Sequence, residues 1–184
     1  MLFWNQMIEV LRESIFAYAQ ACNGNLGAGI LTVTFLARLA LLPLGIRLAR
    51  AAADQQRAMA RTGVSPFSVA GWLGNFAQLP LVLGLYSAVR QAVERGGGFL
   101  WIRNLARPDW PLTMAATAVT LLATATAGVP PSQNRTVMLS ISAVVTIAVL
   151  SKMSAGVGLY WGVSSLFGAV QGWAVQRGLR ASAA

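Results

Sequence analysis

Residues 27–46 read Gly27-Ala28-Gly29-Ile30-Leu31-Thr32-Val33-Thr34-Phe35-Leu36-Ala37-Arg38-Leu39-Ala40-Leu41-Leu42-Pro43-Leu44-Gly45-Ile46, and Arg38 is the one charged residue among them. A helix that crosses a bilayer takes roughly 20 mostly apolar residues, so this stretch predicts a transmembrane helix with a cation near its middle. A charge at that depth costs about 2.5–3.5 kcal/mol on insertion scales. A guanidinium does not shed its proton to escape the cost. Arg38 is therefore expected to face a partner or a wet cavity inside a helical bundle rather than lipid.

Working outward, four more apolar runs of span length follow, at 72–89, 112–129, 137–153 and 156–175. Only a few residues around Ser154 join the last two, which predicts a tight antiparallel hairpin. Charged residues make up 10% of the chain, against about 25% in a soluble domain, too few to cover a water-facing globule. The fold class is all-α membrane protein, a bundle of five transmembrane helices.

The segment before the first span behaves differently. Trp4, Met7, Ile8, Leu11, Ile15 and Tyr18 recur at helical spacing, with Asn5, Glu9, Arg12, Glu13 and Gln20 opposite. This is the pattern of an amphipathic helix lying in the membrane interface. Residues 1–24 are read as that helix and 25–184 as the five-span core, with Asn23-Gly24-Asn25 as the turn between them. After the first span, Arg47, Arg50, Asp54, Arg57 and Arg61 fall on one helical face. This dense cationic group places the N-terminus outside and the C-terminus in the cytoplasm of a multi-pass protein. Gly96-Gly97-Gly98 reads as a hinge, and Trp101 and Trp110 as anchors at headgroup depth. Gly158, Gly162, Ser165, Gly168 and Gly172 form a stripe of small residues that lets another helix approach closely.

Several functions are disfavoured. The chain has no histidine and one cysteine, and no Asp or Glu lies within a span. Metal sites and acid/base catalysis lose their usual groups, so neither an enzyme nor a cofactor is expected. The net charge of +9 is spread between apolar runs rather than gathered in one patch, which argues against nucleic acid as the main partner. Ala19-Gln20-Ala21-Cys22 is a loose lipoprotein-type sequence without a basic leader, and an ordinary interfacial cysteine is the better reading.

Acidic residues occur only at positions 9, 13, 54, 94 and 109, so Arg38 has no counter-ion within the membrane. Hydroxyls, amides and water remain to surround it, with Thr34, Gln78, Ser87, Thr117, Thr120, Thr124, Ser142, Tyr160 and Ser164 as candidate lining groups. Three readings are compatible with a lone intramembrane cation: a pocket that receives an anion from a passing chain, a small anion transporter or channel, and an assembly subunit whose arginine pairs with a partner helix. A fourth is a structural arginine bonded to carbonyls.

The order of motifs resembles the YidC/Oxa/Alb family of membrane protein insertases. Asn25-Leu26-Gly27 through Thr34-Phe35-Leu36-Ala37-Arg38 to Pro43-Leu44 is similar to the family's first core span. Gly63-Val64-Ser65-Pro66 with Gln78-Leu79-Pro80, Phe99-Leu100-Trp101-Ile102 with Arg107-Pro108-Asp109, and Ser154-Ala155-Gly156 through Tyr160-Trp161 follow in the family's order. The resemblance implies a bacterial inner-membrane insertase and chaperone with a hydrophilic groove open to cytoplasm and lipid. Arg38, Thr34, Gln78, Thr124, Tyr160, Trp161 and Ser164 would form that groove. Nascent membrane proteins and the bilayer would be its partners, with a Sec-type translocon and the ribosome as further ones. Where the family carries a cytoplasmic hairpin of two longer helices, Arg47 to Gly63 has room for about one.

Overall fold

The computed structural model describes residues 2–62, 83–94, 96–127 and 134–181. Among these the regular elements are helices: α1 (Leu2–Ala21), α2 (Leu26–Thr62), α3 (83–93), α4 (Trp110–Ala127), α5 (Arg135–Leu150) and α6 (Ala155–Ala181). Helices α4, α5 and α6 cover most of 112–129, 137–153 and 156–175. The stretch 72–89 is described only from residue 83, and Gln78 lies outside the described residues. By length and composition, one described segment, Leu26–Leu48, is long and apolar enough to cross a membrane, and Trp110–Thr126 and Arg135–Leu150 are shorter apolar helices.

The first span and the polar stripe after it form one continuous helix, α2, which passes through Pro43. Proline lacks the amide that would bind the carbonyl four residues back, here that of Leu39. Leucine and alanine dominate both sides of Pro43, and their high helix propensity carries the helix across it. At its start the Asn25 side chain accepts a hydrogen bond from the Ala28 amide at 3.1 Å, an N-cap that closes the Asn23-Gly24 turn.

Helix α1 packs across α2 rather than presenting one clean apolar stripe. The crossing point is Gly29, where an added Cβ would strike the Ile15 carbonyl oxygen and press on Ala19 at 3.0 Å. Ile8, Ile15 and Ala19 therefore point inward. Tyr18, read from sequence as part of the apolar face, is 41% exposed because the crossing at Gly29 selects Ala19 instead.

Helices α2, α4 and α6 run parallel, as their contacts show. Along α6, Gly158 faces Leu112, Gly162 faces Ala116 and Gly168 faces Ala123, so residue numbers rise together in α4 and α6. Against α2, Gly156 meets Ile30, Ser164 meets Arg38 and Gln171 meets Gly45 in the same sense. The small-residue stripe serves the α4 contact, as expected for close helix packing.

The loop 96–109 ties the starts of these helices together. Phe99 and Ile102 exchange backbone hydrogen bonds of 2.8 Å around a tight turn, with Leu100 at φ 51. Gly96 and Gly97, at φ 79 and φ 140, supply the left-handed backbone that leads into it. The carbonyls of Arg107 and Leu105 accept the Ala155 and Gly156 amides that open α6, at 2.9 and 3.0 Å. Asp109 caps α4 by accepting from the Leu112 amide at 2.8 Å, and Trp101 donates to the same carboxylate at 3.3 Å. The glycines read as a hinge are thus the entry to a hydrogen-bonded clamp.

The core sits at this end, built from Ile15, Ile30, Val89, Leu85, Leu105 and Val157. Away from it the usual distribution inverts. Helix α5 buries only Thr146 and Leu150, while Val137, Ile141, Val144 and Val145 lie exposed. Phe35, Leu36, Leu39 and Leu44 of α2 and Leu166, Val170 and Trp173 of α6 are exposed as well. An apolar exterior of this extent fits lipid as solvent.

The α1–α2 crossing gives a contrast. Gly29→Val should destabilise the detergent-solubilised protein by about 1–3 kcal/mol, because backbone must move. Gly162→Ala, whose new methyl would meet Ala116 at 3.8 Å, should leave the thermal unfolding midpoint unchanged or raised. Equal midpoints for the two variants would contradict the crossing.

Candidate functional site

Arg38 lies on α2 beside α6, half-buried, and its Nε donates to Ser164 Oγ at 3.1 Å. Among the described residues no carboxylate forms an ion pair with it. Among the described residues the ion pair present is Arg12 with Glu9, on α1. Asp54, on the same helix as Arg38, is 16 residues along, about 24 Å at the helical rise. The guanidinium is thus held by one hydroxyl and balanced by no charge.

One turn before Arg38, Thr34 is fully buried and its Oγ1 has no hydrogen-bond partner. The α2–α6 register that pairs Arg38 with Ser164 and Ile30 with Gly156 sets Thr34 level with Tyr160, itself buried. Pro43 frees the Leu39 carbonyl of its usual helical donor, adding an acceptor one residue beyond Arg38. Phe35 and Phe167 meet edge to face, centroids 5.3 Å apart, beside this seam.

Trp161 and Thr124, expected with Arg38, belong to a second polar cluster on the α4 side of α6. Trp161 Nε1 donates to Thr120 Oγ1 at 3.1 Å, and Thr120 also shares a hydrogen bond with Ser165 at 2.9 Å. Thr124 and Ser142 share one at 3.2 Å between α4 and α5. These side chains border a pocket of about 820 Å³ between α4, α5 and α6, walled by Met138, Ile141 and Val145. The physical reason for the division is angular. Ser164 and Ser165 are one residue apart, so they point about 100° apart around α6, one toward α2 and the other toward α4. Thr117, also named as a lining group, is buried and satisfied by the Thr113 carbonyl of its own helix at 2.7 Å.

Thr146, which sequence reasoning passed over, lines the α4–α5–α6 pocket and is 3% exposed. Its signal was available: it lies one helical turn from Ser142, on the same face of α5. Among the described residues no three His, Cys, Asp or Glu side chains are grouped to hold a metal ion.

A family model described as 60Kd inner membrane protein matches residues 49–182 of this chain. The chain belongs to this family. As a member of the 60Kd inner membrane protein family it is a membrane protein. The match begins C-terminal to Arg38. Among curated relatives, the chain is 31% identical over 112 residues to the membrane protein insertase YidC 2 of Staphylococcus epidermidis, covering 56% of this chain and 38% of that protein. It is 34% identical to the membrane protein insertase YidC of Staphylococcus carnosus with the same coverage. To that of Fusobacterium nucleatum it is 26% identical, over 84% of this chain and 87% of the relative. The matched part spans well under half the length of the staphylococcal relatives.

The seam makes a prediction about stability. Arg38→Leu removes one hydroxyl bond, whose mean worth inside a membrane is about 0.6 kcal/mol, and also removes the cost of the charge. The variant should unfold at or above the wild-type midpoint in detergent. A midpoint loss equivalent to more than about 2 kcal/mol would mark Arg38 as a structural tie, on the scale of a buried charge-assisted bond.

Proposed function

We propose that this chain is a membrane protein insertase and chaperone, and that the seam between α2 and α6 is the place where it receives the polar part of an incoming chain. The observation that carries the reading is Arg38: charged, half-exposed, and among the described residues bonded to Ser164 and facing no carboxylate. A cation positioned at such cost without a partner is suited to a partner that comes and goes. Membership of the 60Kd inner membrane protein family supports the reading, as do relatives described as membrane protein insertases.

The mechanism follows from electrostatics and transfer free energy. An acidic residue on the substrate's polar tail is drawn to Arg38. At 4 Å that attraction is about 4 kcal/mol at an effective dielectric of 20, against about 1 kcal/mol in water. Ser164 and the Leu39 carbonyl provide polar contacts on the way, so the tail meets a shortened apolar barrier. Tyr160 stands at the level of Thr34 and forms the groove wall there. The apolar part of the substrate then partitions into lipid, which supplies the driving force. Trp161 and Thr124 hold α4, α5 and α6 together behind the seam. No nucleotide or cofactor enters this scheme.

In the same reading α2 through α6 provide five spans, α1 lies along the outer interface, and the Arg47–Arg61 stripe of α2 faces the cytoplasm. Nascent membrane proteins are the substrates, and a Sec-type translocon or the ribosome would deliver them near that stripe.

Cells depleted of their own insertase provide the test. Wild type should restore insertion of an acidic-tailed client, Arg38→Lys should retain most of the activity, and Arg38→Ala should lose about tenfold or more, since charge rather than the planar fork is used. A photocrosslinking residue at Ser164 should capture the nascent client, and one at Leu100 should not. Full rescue by Arg38→Ala, or equal capture at both positions, would overturn the assignment.

A further inference from the structure

At the loop end of the bundle, away from Arg38, lies a pocket of about 370 Å³ lined by Tyr86 and Arg90 of α3, Glu94 just after it, Ala106 of the loop, and Lys152 and Ser154 of the α5–α6 junction, among others. Three charged groups border it, two positive and one negative. Arg90 on α3 and Glu94 just past its end stand four residues apart, the spacing of a helical ion pair, but among the described residues neither makes one. Lys152 is likewise without an ion pair among the described residues. The pocket therefore holds two uncommitted cations and a net positive charge.

The second observation is Ser154. Its Oγ is shielded from solvent and has no hydrogen-bond partner. Ser154 precedes the first residue of α6 and its carbonyl accepts from the Gly158 amide at 3.1 Å, the position of an N-cap. An N-cap serine normally spends its hydroxyl on the helix's own first amides. Here the carbonyls of Arg107 and Leu105 already bind Ala155 and Gly156, so the hydroxyl is left over. An unmade bond at a shielded hydroxyl costs about 1–3 kcal/mol, which a ligand oxygen in the adjacent pocket would recover. At the same end Trp101 of the loop and Trp110, the first residue of α4, are exposed, both 59% accessible, as side chains that favour headgroup depth are.

We propose that this pocket binds a phosphate group, with Arg90 and Lys152 neutralising it and Ser154 Oγ donating to one of its oxygens. Its chemistry is shared by an anionic phospholipid headgroup and free inorganic phosphate. The site is separate from the Arg38 seam and does not depend on the function assigned to that seam.

The full chain, purified in mild detergent, would be titrated with phosphatidylglycerol, with diacylglycerol as the phosphate-free lipid, and with inorganic phosphate, following the thermal midpoint and the lipid retained in native mass spectrometry. A shift with phosphatidylglycerol alone identifies a lipid site, and a shift with inorganic phosphate as well identifies a general phosphate site. Ser154→Ala should leave the unliganded midpoint unchanged or raised, because the hydroxyl makes no bond in the fold and its shielding carries a cost, yet weaken phosphate-ligand affinity about tenfold, the worth of one charge-assisted hydrogen bond. Arg90→Gln with Lys152→Gln should abolish the shift. The proposal is overturned if diacylglycerol matches phosphatidylglycerol, if neither phosphate ligand shifts the midpoint, or if Ser154→Ala binds as wild type does.

Discussion

Three helices that start at the same end of a bundle must satisfy their opening amides there without the help of neighbours running the other way. This constraint organises the molecule. The first amides of any helix lack partners within it, and gathered positive helix ends repel one another. Asn25 caps α2, Asp109 caps α4, and two loop carbonyls cap α6. Two of these three solutions come from the segment 96–109, which also seats Phe99 against Gly27 at the start of α2. Parallel α2, α4 and α6 are thus fixed at one end, and the packing of small residues along α6 carries the register from there toward the other.

That register decides where polar groups meet. With hydroxyls turned inward and aliphatic side chains outward, the bundle places Ser164 against Arg38 and Thr120 against Ser165 and Trp161. The second group is closed on itself, each hydroxyl answering another. The first is open: a cation with one neutral partner and a buried threonine oxygen with none. Hydroxyl pairs of the second kind hold helices together, whereas a charge without a counter-charge keeps capacity for something else.

Much of this was legible in the sequence, for reasons that differ by residue. Arg38 stood out because a charge in an apolar run is expensive wherever the helix packs. The small-residue stripe of α6 and the Asn23–Asn25 turn were readable because both are local, set by spacing and backbone preference. The partition of Trp161 and Thr124 from Arg38 was not readable, since it depends on which flank of α6 meets which neighbour. Periodicity fixes angles around one helix and says nothing of the helix beside it. Tyr18 failed for the same reason: Gly29 on another helix chose Ala19. Likewise, Gly96 and Gly97 suggested freedom, and only the bonds made by Leu105, Arg107 and Asp109 reveal a clamp.

The continuity of α2 has a mechanical side. Thirty-seven residues make a rod about 55 Å long, while the apolar thickness of a bilayer is about 30 Å. Held by its cap and by α1 at Gly29, the rod is anchored near its first turn, and the excess length becomes an arm beyond the bundle. Pro43 removes one rung between the two parts, so bending stiffness is lowest just past Arg38. Torque applied to the basic arm is absorbed at this joint before it reaches the Arg38–Ser164 bond.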